Sequence, residues 1–341
     1  RSSATSPPSG CSVCRGSRRL VFFGFDDDQL AFRDAVRDLL DKECPPEVVR
    51  AAWDGPLDRG VWDRLGEMGV LGVLASESDG GLGLDERSLV LLLEETGRAG
   101  LPHPVVETAA VAAPRLGGLG VPPGAMIASN LGGAHVACAA DADLLLLSTQ
   151  DGSFHLVERN AVALTPVETV DRGRRAARVD WTPNAATLVT DDPAVVELAF
   201  DRGAWGSAAQ LIGLGQRMLD LTVGYVSERE QFGQPVGAFQ AVKHHMADAL
   251  KELAFARPVV YRAAHSLAVG APTRSRDVSM AKVMASEAAW LVGRQALQCH
   301  GAIGYTMEAD LHLYLKRTWA LAKAWGDSAW HRDRVGQALG V

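Results

Sequence analysis

The stretch from residue 216 to 250 constrains the fold more tightly than any other part of the chain. Apolar residues recur there at helical spacing, stop at a break that contains Gly233 and Pro235, and then resume at spacings of three and four. The first face consists of Met218, Leu219, Leu221, Val223 and Val226, and the second of Phe239, Val242, Met246 and Leu250. This pattern predicts two long helices joined by a tight turn, an arrangement typical of antiparallel helical bundles.

The turn between these helices, Ser227–Gly233, places Arg229, Gln231 and Phe232 next to a helix start. Two interpretations are open from the residues alone. An arginine fork beside helix-terminal N–H groups can bind a phosphate. A helical bundle can equally expose a solvated polar turn that binds nothing.

Three stretches of the chain resemble signatures of the acyl-CoA dehydrogenase family. The residues Glu228–Pro235 match the pattern ER-x-QFG-x-P and are followed by FQAV at 239–242. A second stretch, Gln298–Tyr305, reads QCHGAIGY, and a third, Ser76–Gly83, reads SESDGGLG. Their order along the chain is also that of the family, and the resemblance spans most of the sequence.

Periodicity and the resemblance together predict a mixed α and β fold that is mainly α, with the acyl-CoA dehydrogenase architecture. We expect a disordered leader at 1–21, an N-terminal helical domain at 22–120, a shortened β-domain at 121–196 and a C-terminal four-helix bundle at 197–341. The predicted strands are Ala125–Ile127, His135–Ala139, Leu144–Leu147, Phe154–Val157, Val162–Leu164, Ala177–Val179 and Thr187–Thr190.

Composition excludes several classes of function. The net charge of −7 argues against a nucleic-acid surface, and no apolar run reaches the length of a membrane span. Five scattered cysteines indicate a cytoplasmic protein rather than a disulfide framework. Cys11 and Cys14 form one CxxC without a second pair, so we predict no metal site.

The resemblance implies FAD as cofactor, an acyl-CoA thioester as substrate and a homologous subunit as partner. By similarity, Arg229 pairs with the pyrophosphate, Gln231 belongs to the same cofactor-binding turn, and Phe232 packs near the adenosine part. Gln298 and Gly301 approach the pyrophosphate or ribose at the second signature. The segment that carries the flavin platform in the family is not recognisable between 121 and 196.

The glutamate that serves as catalytic base in the family is missing from both of its usual positions. Counting from Gly301 places Trp325 at the first position, and counting back from Gln216 places Gly203 at the second. Asp327 is the nearest carboxylate to the first position, and it is the predicted base if this chain reacts alone. Such a base needs a raised pKa in a dry pocket.

Three hypotheses follow from the missing glutamate. In the first, the chain is the base-less subunit of a heteromeric acyl-CoA dehydrogenase of the kind used in actinobacterial steroid degradation, and the partner supplies the base. In the second, it is a self-sufficient dehydrogenase that uses Asp327. In the third, it is a flavin monooxygenase or a structural homologue with the same fold.

Overall fold

The computed structural model describes residues 24–341 except Leu116, Gly118, Gly120, Pro123 and Gly132. The predicted leader at 1–21 lies outside the described residues. Within them, the predicted fold class is confirmed, because helices precede and follow a small region of short strands.

The first helical region is built around one buried helix. Its helices are α1 (Asp27–Glu43), α2 (Pro46–Ala51), α3 (Arg59–Glu67) and α4 (Glu86–Ala99). The sequence starts α1 with a capping box, in which Asp26 accepts from the Gln29 backbone N–H and the Gln29 side chain accepts from that of Asp26. The helix α4 is buried along nearly its whole length. A wider π-helical segment, Val106–Ala112, leads to the strands.

The strands form one four-stranded sheet and one separate pair. They are β1 (Ile127–Ser129), β2 (Leu144–Ser148), β3 (Phe154–Glu158), β4 (Ala163–Pro166), β5 (Ala177–Asp180) and β6 (Leu188–Thr190). The sheet has the order β1-β2-β3-β6, with β1 parallel to β2 and the other neighbours antiparallel, and β4 pairs with β5.

The strand predicted at His135–Ala139 is wrong. Only Val136 forms a bridge, to Ala177, and Cys138 adopts a left-handed φ of 58°. The Cys138 thiol donates to the carbonyl of Pro102. This segment is therefore a packed turn, because its apolar side chains are buried by tertiary contacts and not by strand pairing.

The second helical region contains the longest elements. Its helices are α5 (Pro193–Glu228), α6 (Gln240–Ala268), α7 (Arg274–His300), α8 (Leu311–Lys323) and α9 (Ser328–Leu339). Asp192 caps α5 by accepting from the Ala194 N–H, and Pro193 occupies the first helical position. The middle of α5 packs against α4, α7 and α8 and is buried on every side.

One hydrophobic core joins both helical regions and the inner faces of β1, β2 and β3. A smaller cluster, which includes Leu145, Leu147 and Val157, fills the other face of the sheet. Trp62, Trp205 and Trp325 are the largest side chains that are fully buried. The fold thus exposes the connection between α5 and α6 and buries Ala324 and Trp325 at the start of the connection between α8 and α9.

Candidate cofactor cleft and the filled base position

The turn that follows α5 is a strained two-residue hairpin. The strands β7 (Glu230–Gln231) and β8 (Gln234–Pro235) pair across Phe232 and Gly233, which have φ values of 53° and 81°. Positive φ at both central residues is the geometry of a type I′ turn, which a phenylalanine adopts only at a cost of roughly 1 kcal/mol or more. Phe232 is 92% exposed and contacts Phe239 edge-on. A strained, exposed aromatic residue makes this turn a candidate binding element.

The turn and the end of α7 border one cleft of about 660 Å³. Arg229, Gln231, Gln298 and Gly301, which come from two distant parts of the sequence, line it together. Phe232 lies at the tip of the adjoining hairpin. The structure therefore brings together the residues that the resemblance assigns to the cofactor, and their role in binding it stays a prediction.

The residues of the cleft fit the nucleotide end of FAD. Arg229 is exposed, and none of the ion pairs within the described part of the chain uses it, so its donors are available to a phosphate. Gly301 adopts φ 65° and ψ −140°, and a Cβ added there meets no atom within 4 Å. The bare backbone beside this open space allows close approach of a ligand.

Three further residues line the same cleft and were not found from the sequence. Tyr225 and His245 project from the facing helices α5 and α6, and His300 ends α7. The rings of Tyr225 and His300 are stacked, with centroids 4.5 Å apart and planes 10° apart. The sequence analysis missed Tyr225 because it lies one turn before the recognised motif.

Gly203 and Trp325, the two positions that the resemblance assigns to the missing base, lie against each other. A Cβ built on Gly203 would be 2.3 Å from the Cε3 and Cζ3 atoms of the Trp325 indole. The indole is buried, and the backbone of Trp325 adopts a left-handed φ of 59°. The Trp325 indole therefore occupies the place beside Gly203 where the resemblance leads us to expect the catalytic glutamate, and glycine at 203 leaves room for the indole.

Hydrogen bonds fix the loop that carries Trp325. His331 donates from Nε2 to the Trp325 carbonyl at 2.8 Å, and its Nδ1 contacts the Ser279 hydroxyl. The ammonium of Lys282, a fully buried side chain, donates to the carbonyls of Leu321 and Gly326. These buried bonds hold the indole in place, because breaking any one leaves a polar group without a partner.

Little space remains beside the indole. The adjoining cavity measures about 20 Å³, which is about the volume of one water molecule. Its walls include Ser207, Arg174 and Glu107, and burial raises the pKa of the Glu107 carboxyl. The sequence analysis missed Glu107 because no motif surrounds it. An acyl chain does not fit into this cavity.

Asp327 lies at the surface as the cap of α9. Its Oδ1 accepts from the Trp330 N–H at 3.0 Å, and its Oδ2 pairs with Lys323 at 3.0 Å. The backbone hydrogen bond from Trp330, followed by the bond from Lys323, lowers the pKa of Asp327. A base for a thioester α-proton needs the opposite shift. The catalytic role of Asp327 stays a prediction that this geometry disfavours.

No helix in the described part of the chain combines the length and the apolar character needed to cross a membrane.

Comparison with known proteins identifies the family. The model of the acyl-CoA dehydrogenase N-terminal domain matches residues 26–120, and that of the C-terminal domain matches residues 194–340. The chain is 34% identical to the acyl-CoA dehydrogenase IpdE2 of Mycolicibacterium smegmatis, over 88% of this chain and 95% of that protein.

Solved structures share the whole fold. Butyryl-CoA dehydrogenase from Megasphaera elsdenii superposes with a TM-score of 0.83 at 20% identity, covering 94% of this chain and all of that one. A chain of the ChsE4-ChsE5 complex from Mycobacterium tuberculosis also superposes with a TM-score of 0.83, at 24% identity. The match covers 94% of this chain and 99% of that chain. The chain therefore belongs to the acyl-CoA dehydrogenase family of FAD-dependent oxidoreductases.

Proposed function

We propose that this chain is the base-less subunit of a heteromeric acyl-CoA dehydrogenase. It lends the cleft around Arg229 to the nucleotide end of FAD, while a homologous partner subunit holds the acyl-CoA and the catalytic base. The reaction is the α,β-dehydrogenation of an acyl-CoA thioester. The observation that carries the proposal is the packing of Trp325 on Gly203.

The packing of Trp325 on Gly203 leaves no place beside them for a carboxylate base and the acyl group from which it would take a proton. The reaction requires a carboxylate with a raised pKa next to the α-carbon of the thioester. At this place the chain has an indole, a glycine and a cavity of about 20 Å³. Glu107 borders that cavity, but no open volume beside it can hold an acyl group. Beside Trp325, the described residues therefore offer neither a base with an adjoining substrate space nor room for an acyl chain.

The cofactor cleft supports the second half of the proposal. When bound, FAD supplies the acceptor for the hydride from the β-carbon. On this chain, Arg229 neutralises the pyrophosphate with its guanidinium, while Gly301 lets the backbone approach it. The cleft lies at the protein surface, between the hairpin after α5 and the end of α7. A cofactor held there at its nucleotide end can extend into a partner subunit.

An assembly of two different chains has a precedent among proteins of this fold, since one solved structure is the complex of ChsE4 and ChsE5. We also place the assembly in the cytoplasm, on the basis of the five unpatterned cysteines.

The test is to purify the chain alone and together with a homologous chain that retains the family glutamate. We expect the pair to form a stable yellow complex whose flavin is bleached by acyl-CoA, and the chain alone to show no reduction. Replacing the partner's glutamate with glutamine should abolish bleaching, and Asp327→Asn in this chain should not. A chain that binds flavin alone and reduces it with acyl-CoA would overturn the proposal.

A further inference from the structure

Two contacts and the close approach of the following loop hold the histidine at the end of α7 in one orientation. Its Nδ1 donates to the Ala296 carbonyl at 2.8 Å, and its ring stacks on Tyr225. A Cβ added to Gly304 would lie only 2.9 Å from the His300 Cβ, so glycine there lets the following loop close over the histidine. The ring can neither turn nor move away from the cleft that it lines.

This orientation determines the hydrogen-bonding character of the ring. Because Nδ1 carries the proton that is donated to Ala296, the neutral ring has a lone pair on Nε2. Burial lowers the pKa of His300, which keeps the ring neutral at physiological pH. Nε2 has no partner among the described residues, and it is not among the polar atoms that are sealed from solvent. His300 therefore presents a hydrogen-bond acceptor in the cleft.

An acceptor at this place selects one part of the nucleotide. Phosphate oxygens also accept hydrogen bonds, so a neutral Nε2 repels them and leaves them to Arg229. The donors on the ADP portion of FAD are the exocyclic amine of adenine and the ribose hydroxyls. We propose that His300 recognises one of these donors and fixes the adenosine end of the cofactor in the cleft, a role that rests on the function proposed above.

The experiment uses the complex with the partner subunit after removal of the flavin, and measures nucleotide binding by titration calorimetry. The ligands are ADP, IDP, which lacks the amine, and 2′,3′-dideoxy-ADP, which lacks both ribose hydroxyls. We expect ADP to bind more tightly than one of the two analogues by roughly three- to tenfold, the usual effect of one hydrogen bond. The analogue that loses affinity identifies the donor.

Three variants test whether the difference in nucleotide affinity comes from the acceptor on His300. His300→Phe keeps an aromatic ring against Tyr225 but removes the acceptor, so it should bind all three nucleotides equally and ADP more weakly than the wild type. His300→Gln supplies a new acceptor and should retain part of the discrimination. His244→Phe, on an exposed position of α6 outside the cleft, should change nothing.

The outcomes distinguish this inference from the proposed function. Equal binding of all three nucleotides to the wild-type complex overturns the role of His300, and this result does not depend on how any variant folds. Undiminished discrimination in a folded His300→Phe variant overturns it as well. Arg229→Ala should weaken all three nucleotides alike. If Arg229→Ala has no effect, the cofactor cleft itself is wrong, and the function proposed for this chain is wrong with it.

Discussion

Adding one methyl group to α5 should reveal how firmly the base position is filled. Gly203→Ala places a Cβ 2.3 Å from two carbons of the Trp325 indole, far inside van der Waals contact. The indole cannot move aside, because the Trp325 carbonyl is hydrogen-bonded to His331 and the cavity next to the indole measures only about 20 Å³. The substitution must therefore displace the loop or α5 itself.

Two opposing effects determine how much Gly203→Ala changes the free energy of unfolding. Alanine in place of glycine stabilises a helix interior by about 1 kcal/mol, whereas overpacking a rigid core costs about 1–3 kcal/mol or more. With a contact as short as this one, we take the upper value and expect Gly203→Ala to destabilise the chain by about 2 kcal/mol. Trp325→Ala alone should cost about 3–5 kcal/mol, because it leaves a large cavity.

The double variant provides the decisive measurement. Once the indole is gone, the new methyl group enters empty space, so Gly203→Ala should become stabilising by about 1 kcal/mol in the Trp325→Ala background. The coupling between the two positions is then about 3 kcal/mol. Thermal unfolding followed by far-ultraviolet circular dichroism measures it, with a shift of roughly 2 °C expected for each kcal/mol.

Gly224→Ala is the matched control on the same helix. A Cβ at Gly224 meets no atom within 4 Å, so this change should stabilise the chain in either background. Additive effects of Gly203→Ala and Trp325→Ala would refute the packing described here. A stabilising single Gly203→Ala variant would do so as well.

The remaining predictions concern the cofactor, the surface carboxylate and pH. Arg229→Ala should weaken FAD binding by the complex about ten- to a hundredfold, because it removes a charge-assisted hydrogen bond to phosphate. Lys243 lies outside the cleft, so Lys243→Ala should bind the flavin as tightly as the wild type. Asp327→Asn should leave both Tm and turnover of the complex unchanged, because asparagine caps a helix as well as aspartate; a large loss of turnover with normal folding would instead support Asp327 as base. Burial lowers the pKa of His331 to about 4 from 6.5, so between these values the unfolded chain binds a proton that the folded chain does not. Stability should fall by about 1.4 kcal/mol per pH unit as the pH is lowered through this window, and urea titrations of His331→Gln should lack that part of the slope.

Local patterns were sufficient to predict the long helices on either side of the Arg229 turn. The periodicity around the Arg229 turn predicted α5 and α6, and α5 does end at Glu228. That Gln298 meets Arg229 in one cleft followed only from the family resemblance, since no local spacing relates residues so far apart. No local spacing relates Tyr225 to His300 either, so their stacking was not predicted.

The β region shows where local patterns fail. The residues His135–Ala139 have the alternation of a strand, yet tertiary contacts of Val136 and Cys138 fold them into a turn. Counting from the glycine motif placed Trp325 at the expected position of the base, and that assignment stays a prediction. It could not reveal that the indole rests on Gly203, because that contact joins α5 to the distant connection between α8 and α9, and the packing of these elements is set by the whole core.

The pairing of Trp325 with Gly203 bears on what kind of change removed the base. Loss of a glutamate by itself leaves a hole or a misplaced polar group, and either is destabilising. Here a large side chain fills the hole, a glycine opposite makes room for it, and His331 and Lys282 bind the loop carbonyls around it. These features depend on one another, so the described residues around Trp325 form a packed core. Arg229 and Gly301 line an open cleft elsewhere on the chain. A filled pocket beside Gly203 together with an open cleft at Arg229 is the combination that the proposed function requires, in which the base lies on another subunit.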